Sequence, residues 1–342
     1  MSAATGPPAV VVDAAGGVVG GAARWRAELD AYLATADRER VTTIGDGRRL
    51  TPAWLLQRER MARAAGLLVA PNNVSFATGR GERRVLLRNA LHFLHRSEEH
   101  LLTLLPRSFR AQIPVVRRLL PRADLIVVPC SAMADRVVHH VPSAAMRIVV
   151  RPHPVSPTGP RRVADVPFIL VPVVPGPYKN LIQQLRLLLA AGDPRDPMRI
   201  RVTANASDLP GDLACHPRID LIGIMPADRL AALWRSATAA FYPSCVEAFG
   251  YPLAEARAYG VPVIAPNTAQ GREIAGGTLR GYDPADPQSL RVALSATAAP
   301  VASDPTGFAR DPYFDWLLGS STAAVSAPPL PRRPPETAGV GL

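Results

Sequence analysis

A chain of 342 residues exceeds one ordinary domain and suits two of about 150 residues each. Charged residues make up 20% and hydrophobic ones 48%, enough to bury apolar cores, which excludes a chain disordered by composition. The formal net charge of +11 comes from arginines scattered along the chain, not from a basic motif interleaved with aromatics, so nucleic acid is not an expected partner.

Residues 8–15 (PAVVVDAA) form a β-branched run that leads into Gly16, Gly17, Gly20 and Gly21 and then a helical pattern through Arg24, Trp25, Leu29 and Leu33. Strand, glycine turn and helix are predicted in that order. Short apolar runs at 66–70, 84–87, 125–129 (LIVVP) and 147–150 (RIVV), with helical stretches between them, predict a parallel sheet covered by helices on both faces. Residues 151–165 concentrate proline and basic residues and read as an interdomain linker. A second alternation follows, with strands at 168–174, 199–203, 219–223, 239–243 and 261–265 and helices at 180–191, 227–236 and 252–259. The fold class is therefore α/β, with two Rossmann-like, doubly wound domains facing across a cleft. The expected division is an N-terminal domain at 1–155 and a C-terminal domain at 156–326. A last helix at 313–318 is free to pack back on the first domain, and the proline-rich 327–342 is expected to be a disordered tail.

Cys130, Cys215 and Cys245 are odd in number and far apart, which suggests a reducing compartment and offers neither a disulfide framework nor zinc spacing. The N-terminal apolar run lacks a basic stretch before it and is too short to span a bilayer, so a cytoplasmic protein is expected. The basic stretch 107–122 (RSFRAQIPVVRRLLPR) fits a solvated helix face, or peripheral contact with the inner face of a membrane. Lys179 is the only lysine. In a chain that uses arginine everywhere else, a retained ammonium marks a place where a compact charge on a flexible stem does what a planar guanidinium cannot.

The densest chemistry lies at 242–266 (YPSCVEAFGYPLAEARAYGVPVIAP). A strand ends near Pro243, and a loop carries Glu247, Phe249 and Gly250. Pro252 then suits the first turn of a helix containing Glu255, and Gly260 can cap its far end. Both glutamates thus sit near one helix N-terminus at the carboxyl end of a parallel strand, where open α/β sheets bind ligands. Free N–H groups and partial positive charge there attract a diphosphate, and carboxylates beside it can accept hydrogen bonds from sugar hydroxyls. Spacing alone also fits a dipole-stabilising Glu255 and a solvated Glu247.

This segment resembles the C-terminal signature of retaining group 1 (family 4) glycosyltransferases, E-x-F-G-x-P-x-x-E, followed by a helix, a glycine and a strand. Here it reads Glu247-Ala248-Phe249-Gly250-Tyr251-Pro252-Leu253-Ala254-Glu255 and then Gly260-Val261-Pro262-Val263-Ile264-Ala265. The stretch 168–181 (FILVPVVPGPYKNL) is similar to the family's first C-domain strand and loop, with Lys179 and Asn180 at its K-N positions. Gly20-Gly21-Ala22-Ala23-Arg24-Trp25 looks like its G-G-x-x-R-Y turn, Cys130-Ser131 stands at its V-S position, and Tyr282-Asp283-Pro284 matches its late D-P turn.

The resemblance implies glycosyl transfer with retention, from a nucleoside-diphosphate sugar to a polysaccharide, lipid carrier or metabolite acceptor, with no metal cofactor. It assigns Glu247 to the donor hexose and the developing oxocarbenium charge, and Lys179 to the leaving diphosphate. Glu255 takes the ribose. Phe249, Gly250 and Asn180 join the donor site, and Gly20 and Gly21 approach donor or acceptor. Two positions depart from the family pattern. Val173-Val174 replace its G-R, leaving Arg24, Arg88 and Arg151 as candidate substitutes for the arginine. Asn89 stands where an H-D pair is common, with His92 three residues on; both are candidates for the acceptor side, and His92 also fits a structural role. These departures motivate an alternative, a catalytically inactive sugar-nucleotide-binding protein of the same fold. A sugar-nucleotide epimerase of this architecture is disfavoured by the E-x-F-G-x-P-x-x-E segment. Oligomeric state is not readable.

Overall fold

The computed structural model describes residues 9–17, 19–35, 39–193 and 197–320; the expected tail at 327–342 lies outside the described residues. The first half runs β1 (Val10–Asp13), α1 (Gly20–Leu33), β2 (Val41–Ile44), α2 (Pro52–Met61), β3 (Leu67–Ala70), β4 (Glu82–Leu86), α3 (Arg107–Leu119), β5 (Leu125–Val128), α4 (Ser131–His140) and β6 (Ile148–Val150). The second runs β7 (Phe168–Val171), α5 (Leu181–Ala191), β8 (Arg199–Val202), α6 (Gly211–Ala214), β9 (Ile219–Leu221), α7 (Ala227–Ser236), β10 (Ala239–Phe241), α8 (Tyr251–Tyr259), β11 (Val263–Pro266), α9 (Ala269–Ala275), β12 (Leu279–Tyr282), α10 (Pro287–Ser295) and α11 (Arg310–Leu317).

Two six-stranded parallel sheets result, in the orders β2-β1-β3-β4-β5-β6 and β12-β11-β10-β7-β8-β9. Central strands such as VVVD, LLVA and FILV are buried at every residue, because helices cover both faces of a parallel sheet. The edge strands β2 (VTTI) and β12 (LRGY) are half exposed and lack a continuous apolar run, which is why the sequence pattern passes over them. In the first sheet the winding reverses beside β1, between β3 on one side and β2 on the other. In the second it reverses between β7 and β10. The loops leaving β1, β3, β7 and β10 therefore open onto crevices at the carboxyl ends of the strands.

The segment after β6 is not a free linker. His153, Pro154 and Val155 are buried, and the Val155 N–H donates to the Phe308 carbonyl at 3.0 Å. The last helix begins three residues before the predicted start and lies on α1. Phe314 packs against Trp25 and Tyr32 at 5.5 and 5.0 Å between ring centroids, and Trp25 Nε1 donates to the Tyr313 hydroxyl at 3.2 Å.

The end of β1 is held by a charge that the sequence pattern leaves unmarked. Asp13 is fully buried and pairs with buried Arg58 at 2.7 Å; its carboxylate also accepts from Trp54 Nε1 at 3.1 Å, Asn72 Nδ2 at 2.8 Å and the Ala15 N–H at 3.1 Å. The Arg58 fork continues to the carbonyls of Val74 and Ser75 at 2.9 and 2.7 Å. One carboxylate thus ties the loops after β1 and β3 together, so removing its charge leaves Arg58 buried and unpaired. Asp13→Asn is expected to destabilise folding by about 3–5 kcal/mol in urea denaturation, while Asp13→Leu with Arg58→Met recovers most of the loss. An Asp13→Asn protein as stable as wild type would show that the pair does not organise this end of the sheet.

Candidate functional site

Between the two sheets lies a cleft of about 740 Å³, lined from the first domain by the loops after β1, β3 and β4 and from the second by those after β7 and β10. Its size suits a nucleotide-bearing ligand. Two helices begin at its walls without a side-chain cap and without an acidic residue in the first turn: α1, after Val19, and α8, after Gly250. By contrast α2, α9 and α10 are capped by Thr51, Thr268 and Asp286. The first N–H groups of α1 and the Tyr251 N–H of α8, where Pro252 has none and Leu253 donates to the Gly250 carbonyl at 2.9 Å, are therefore available to a ligand, together with the positive ends of both helices.

On the C-terminal wall Lys179 and Glu247 come together, their Nζ and Oε1 atoms 3.6 Å apart, although 68 positions separate them in the sequence. The ammonium sits above the rings of Tyr178 and Tyr242, at 5.8 and 5.7 Å from their centroids. Glu247 Oε1 accepts from the Tyr242 hydroxyl at 2.5 Å and the Ser244 hydroxyl at 2.8 Å. The carboxylate is thereby held at one oxygen, with no such bond to the other among the described residues. Burial beside this carboxylate pushes the Tyr178 phenol up to about 12 and the Tyr242 phenol well above its ordinary value, so both stay protonated at neutral pH.

Gly250 adopts φ +72°, and a Cβ there would meet Gln270 Nε2 and Leu253 Cδ1 at 3.2 Å, so glycine lets the chain turn into α8 beside the cleft. Phe249 is buried, with its carbonyl taken by Gln270 Nε2. Gly20 (φ +61°) opens α1, and Gly21 brings α1 against Tyr251, whose ring a Cβ would meet at 3.1 Å. A side chain at either glycine would strain the turn or the domain contact.

Glu255 lines the cleft but is committed within the protein. It is 1% exposed, forms an ion pair with Arg24 of α1, and accepts from Trp234 Nε1 at 2.8 Å. Burial raises its carboxyl above the ordinary range, although Arg24 and Trp234 both act to lower it. The seam is completed by Cys130 Sγ donating to the Ala248 carbonyl at 3.2 Å and by the Ser131 N–H donating to both oxygens of Glu273 at 2.9 Å.

Asn180 is not brought to the cleft. It takes a left-handed conformation at the start of α5 (φ 50°), and its exposed side chain donates to Gln183 at 3.0 Å. Asn89 lines the cleft, but its side-chain oxygen accepts from the Leu91 N–H at 3.0 Å and caps the turn there. His92 also lines the cleft, stacked on Phe109 at 4.8 Å between centroids. Where the resemblance implies G-R, Val173 is buried and its N–H donates to Thr203 Oγ1 at 2.8 Å, so these two positions offer no charge. Of the three candidate arginines, Arg24 and Arg88 line the cleft. Arg151 does not: it stacks on Trp316 at 4.6 Å and donates to the Pro312 carbonyl at 2.7 Å.

Residues 174–299 match the family described as glycosyl transferases group 1. A D-inositol 3-phosphate glycosyltransferase from Corynebacterium kroppenstedtii is 36% identical over 114 residues, a match that takes in 32% of this chain and 25% of that protein. The chain thus aligns with a quarter of the length of this curated relative. Among solved structures the fold is similar to WaaG, a glycosyltransferase involved in lipopolysaccharide biosynthesis. That likeness has TM-score 0.62 at 12% identity and covers 92% of this chain and 96% of that one. It is also similar to the sucrose-phosphate synthase of Thermosynechococcus elongatus (0.59, 15%, covering 91% and 94%) and to Anabaena HepE in complex with UDP and glucose (0.57, 14%, covering 90% and 95%). At these identities the likeness is one of fold, and that fold is of the GT-B type, two facing Rossmann-like domains. The segment that matches this family, 174–299, holds Lys179, Glu247 and Glu255.

Burial and the nearby Arg117 lower His92 to about 4, so the folded protein keeps it neutral while the unfolded chain protonates it as pH falls through about 6.5. Its contribution to stability is complete above that pH and is lost towards pH 4. Between pH 7 and 4.5 wild type should lose roughly 2–3 kcal/mol more than His92→Phe, in urea denaturation at each pH. Parallel losses in the two proteins would mean that His92 is not held neutral.

Proposed function

We propose that the protein transfers a sugar from a nucleoside-diphosphate sugar to an acceptor in the interdomain cleft, with retention of anomeric configuration, as a family 4 enzyme. The observation that carries this reading is the convergence of Lys179 and Glu247 at the C-terminal switch point, beside the uncapped N-terminus of α8. The diphosphate lies along that N-terminus. Lys179 leaves Glu247 to neutralise the leaving group, an electrostatic role that calls for no metal. Its flexible stem and compact charge allow it to turn from Glu247 to the phosphates. Glu247, held at Oε1 by Tyr242 and Ser244, presents Oε2 to the donor sugar and to the oxocarbenium charge as the bond to the diphosphate breaks. Backbone groups at Phe249 and Gly250 line the same stretch. The first domain supplies the acceptor wall, through the Gly20–Gly21 turn and the region of Asn89 and His92.

The expected ribose contact at Glu255 takes a modified form. With Arg24 and Trp234 already on its carboxylate, a ribose binds there by exchanging with Arg24, which couples donor binding to the contact between the domains. Support for the donor class comes from the match of 174–299 and from the UDP held by the structurally similar HepE.

The test is a panel of nucleoside-diphosphate sugars, with binding followed by calorimetry and diphosphate release followed over hours. One donor should bind, Lys179→Ala should weaken it by roughly tenfold or more, and Glu247→Gln should leave binding within a few-fold while lowering release about a hundredfold or more. Binding without release in wild type would favour the non-catalytic alternative, and binding of none of the donors to folded protein would end the transferase reading.

A further inference from the structure

Arg88 lines the first-domain wall of the cleft and carries the one cleft guanidinium for which no ion pair is found among the described residues. Its planar group lies over the Trp25 ring, 5.1 Å from the centroid, and its Nε and Nη1 atoms are buried without a hydrogen-bond partner. Burial lowers its pKa, and the groups that act to raise it are the phenols of Tyr251 and Tyr313 rather than a carboxylate. A cation kept in this state costs stability unless something else compensates it.

Two further side chains in the same cleft are in a similar condition. Trp25 Nε1 can only donate, so the Tyr313 oxygen is its acceptor, and the Tyr313 hydrogen is left to point at His153 Nδ1, 3.1 Å away. His153 is 1% exposed and held neutral by burial and by the charge of Arg88, so its proton lies on Nε2. That Nε2 atom has no partner, and neither has the buried hydroxyl of Tyr251, whose ring stacks on His153 at 6.1 Å. The orphaned atoms are the Nε and Nη1 of Arg88, the Nε2 of His153 and the hydroxyl of Tyr251, and every one of them can donate. A set that offers donors and one uncompensated positive charge fits an acceptor of opposite charge. Water would pair the donors but leave the charge unmatched.

We propose that Arg88, His153 and Tyr251 form an anion subsite on the cleft wall, taking a phosphate or carboxylate group carried by a substrate. The subsite stands across the domain junction, with Arg88 from the end of the first sheet, His153 from the interdomain segment and Tyr251 from the first turn of α8. An anion there is gripped by both domains at once. It replaces the positive charge absent at Val173-Val174 if it is the donor's own diphosphate, and selects an acidic acceptor or sugar if it is not. Only the identity of the substrate carrying the anion rests on the transferase reading.

Pyrophosphate and inorganic phosphate are the probes, titrated calorimetrically into the full chain. Wild type should bind at least one of them saturably, and Arg88→Gln should weaken that binding by roughly tenfold or more. UDP separates the sources. If Arg88→Gln weakens UDP in step with the probes, the anion is the donor diphosphate. If UDP keeps its affinity in Arg88→Gln and loses it in Lys179→Ala, the anion belongs to the other substrate or to the sugar. Probe binding that depends on Arg88 with no UDP binding in wild type would leave the subsite standing and remove the transferase reading. Should Arg88→Gln fail to fold, wild type labelled with ¹⁵N-histidine gives the answer, since the His153 Nε2–H resonance, assigned with His153→Gln, should move downfield as phosphate is added. No saturable binding of either probe, equal affinity in Arg88→Gln, or an unmoved His153 resonance overturns the proposal.

Discussion

The ion pair between Arg24 and Glu255 joins the second turns of α1 and α8, the two helices that open onto the cleft from opposite domains. Taking both charges out of water is costly, and their mutual attraction returns little beyond that cost, so the pair adds little net stability; breaking it from one side strands a buried charge. Its effect is one of register. With Glu255 pinned by Arg24 and Trp234, α1 cannot slide along α8. The close approach of Gly21 to Tyr251 and the Cys130 contact with the Ala248 carbonyl are held in the same register. The loops after β1 and β10 then face one another, and the cleft acquires a fixed width.

The two walls are chemically unequal. The C-terminal wall holds a matched pair, Lys179 and Glu247, in which a cation can change partners when an anionic ligand arrives. The N-terminal wall holds the unmatched Arg88 above Trp25, stiffened from below by the Asp13–Arg58 network. In the proposed reading, ligand binding consists of exchanges: Lys179 from Glu247 to phosphate, Arg24 from Glu255 to solvent or ligand, and Arg88 from nothing to an anion. The first two replace interactions already present in the cleft and the third fills an unmet one, so a ligand that makes all of them draws on both domains.

Much of this was legible in the chain. Short apolar runs marked ten of the twelve strands, and the E-x-F-G-x-P-x-x-E segment with the lone Lys179 marked the C-terminal wall. β2 (VTTI) and β12 (LRGY) were not legible, since these edge strands lack a continuous apolar run. The engagement of Glu255 was hidden because its partner Arg24 is 231 residues away, and spacing within a motif carries no information about what the other domain brings to it. Asn180 shows the reverse case: its place in a K-N pair suggests a ligand contact, whereas its left-handed backbone serves to start α5 and turns the amide to Gln183. Asp13 and His153 carried no signal beyond their type. An aspartate ending a β-branched strand and a histidine in a proline-rich segment look like surface residues until the sheet buries them.

The most direct test of the central claim is a crystal structure of the protein with a bound nucleoside diphosphate. The account predicts the β-phosphate within hydrogen-bond reach of Lys179 Nζ and of the Tyr251 N–H that opens α8, with the Lys179–Glu247 contact lengthened beyond an ion pair. A diphosphate bound elsewhere, with Lys179 still on Glu247, would contradict it.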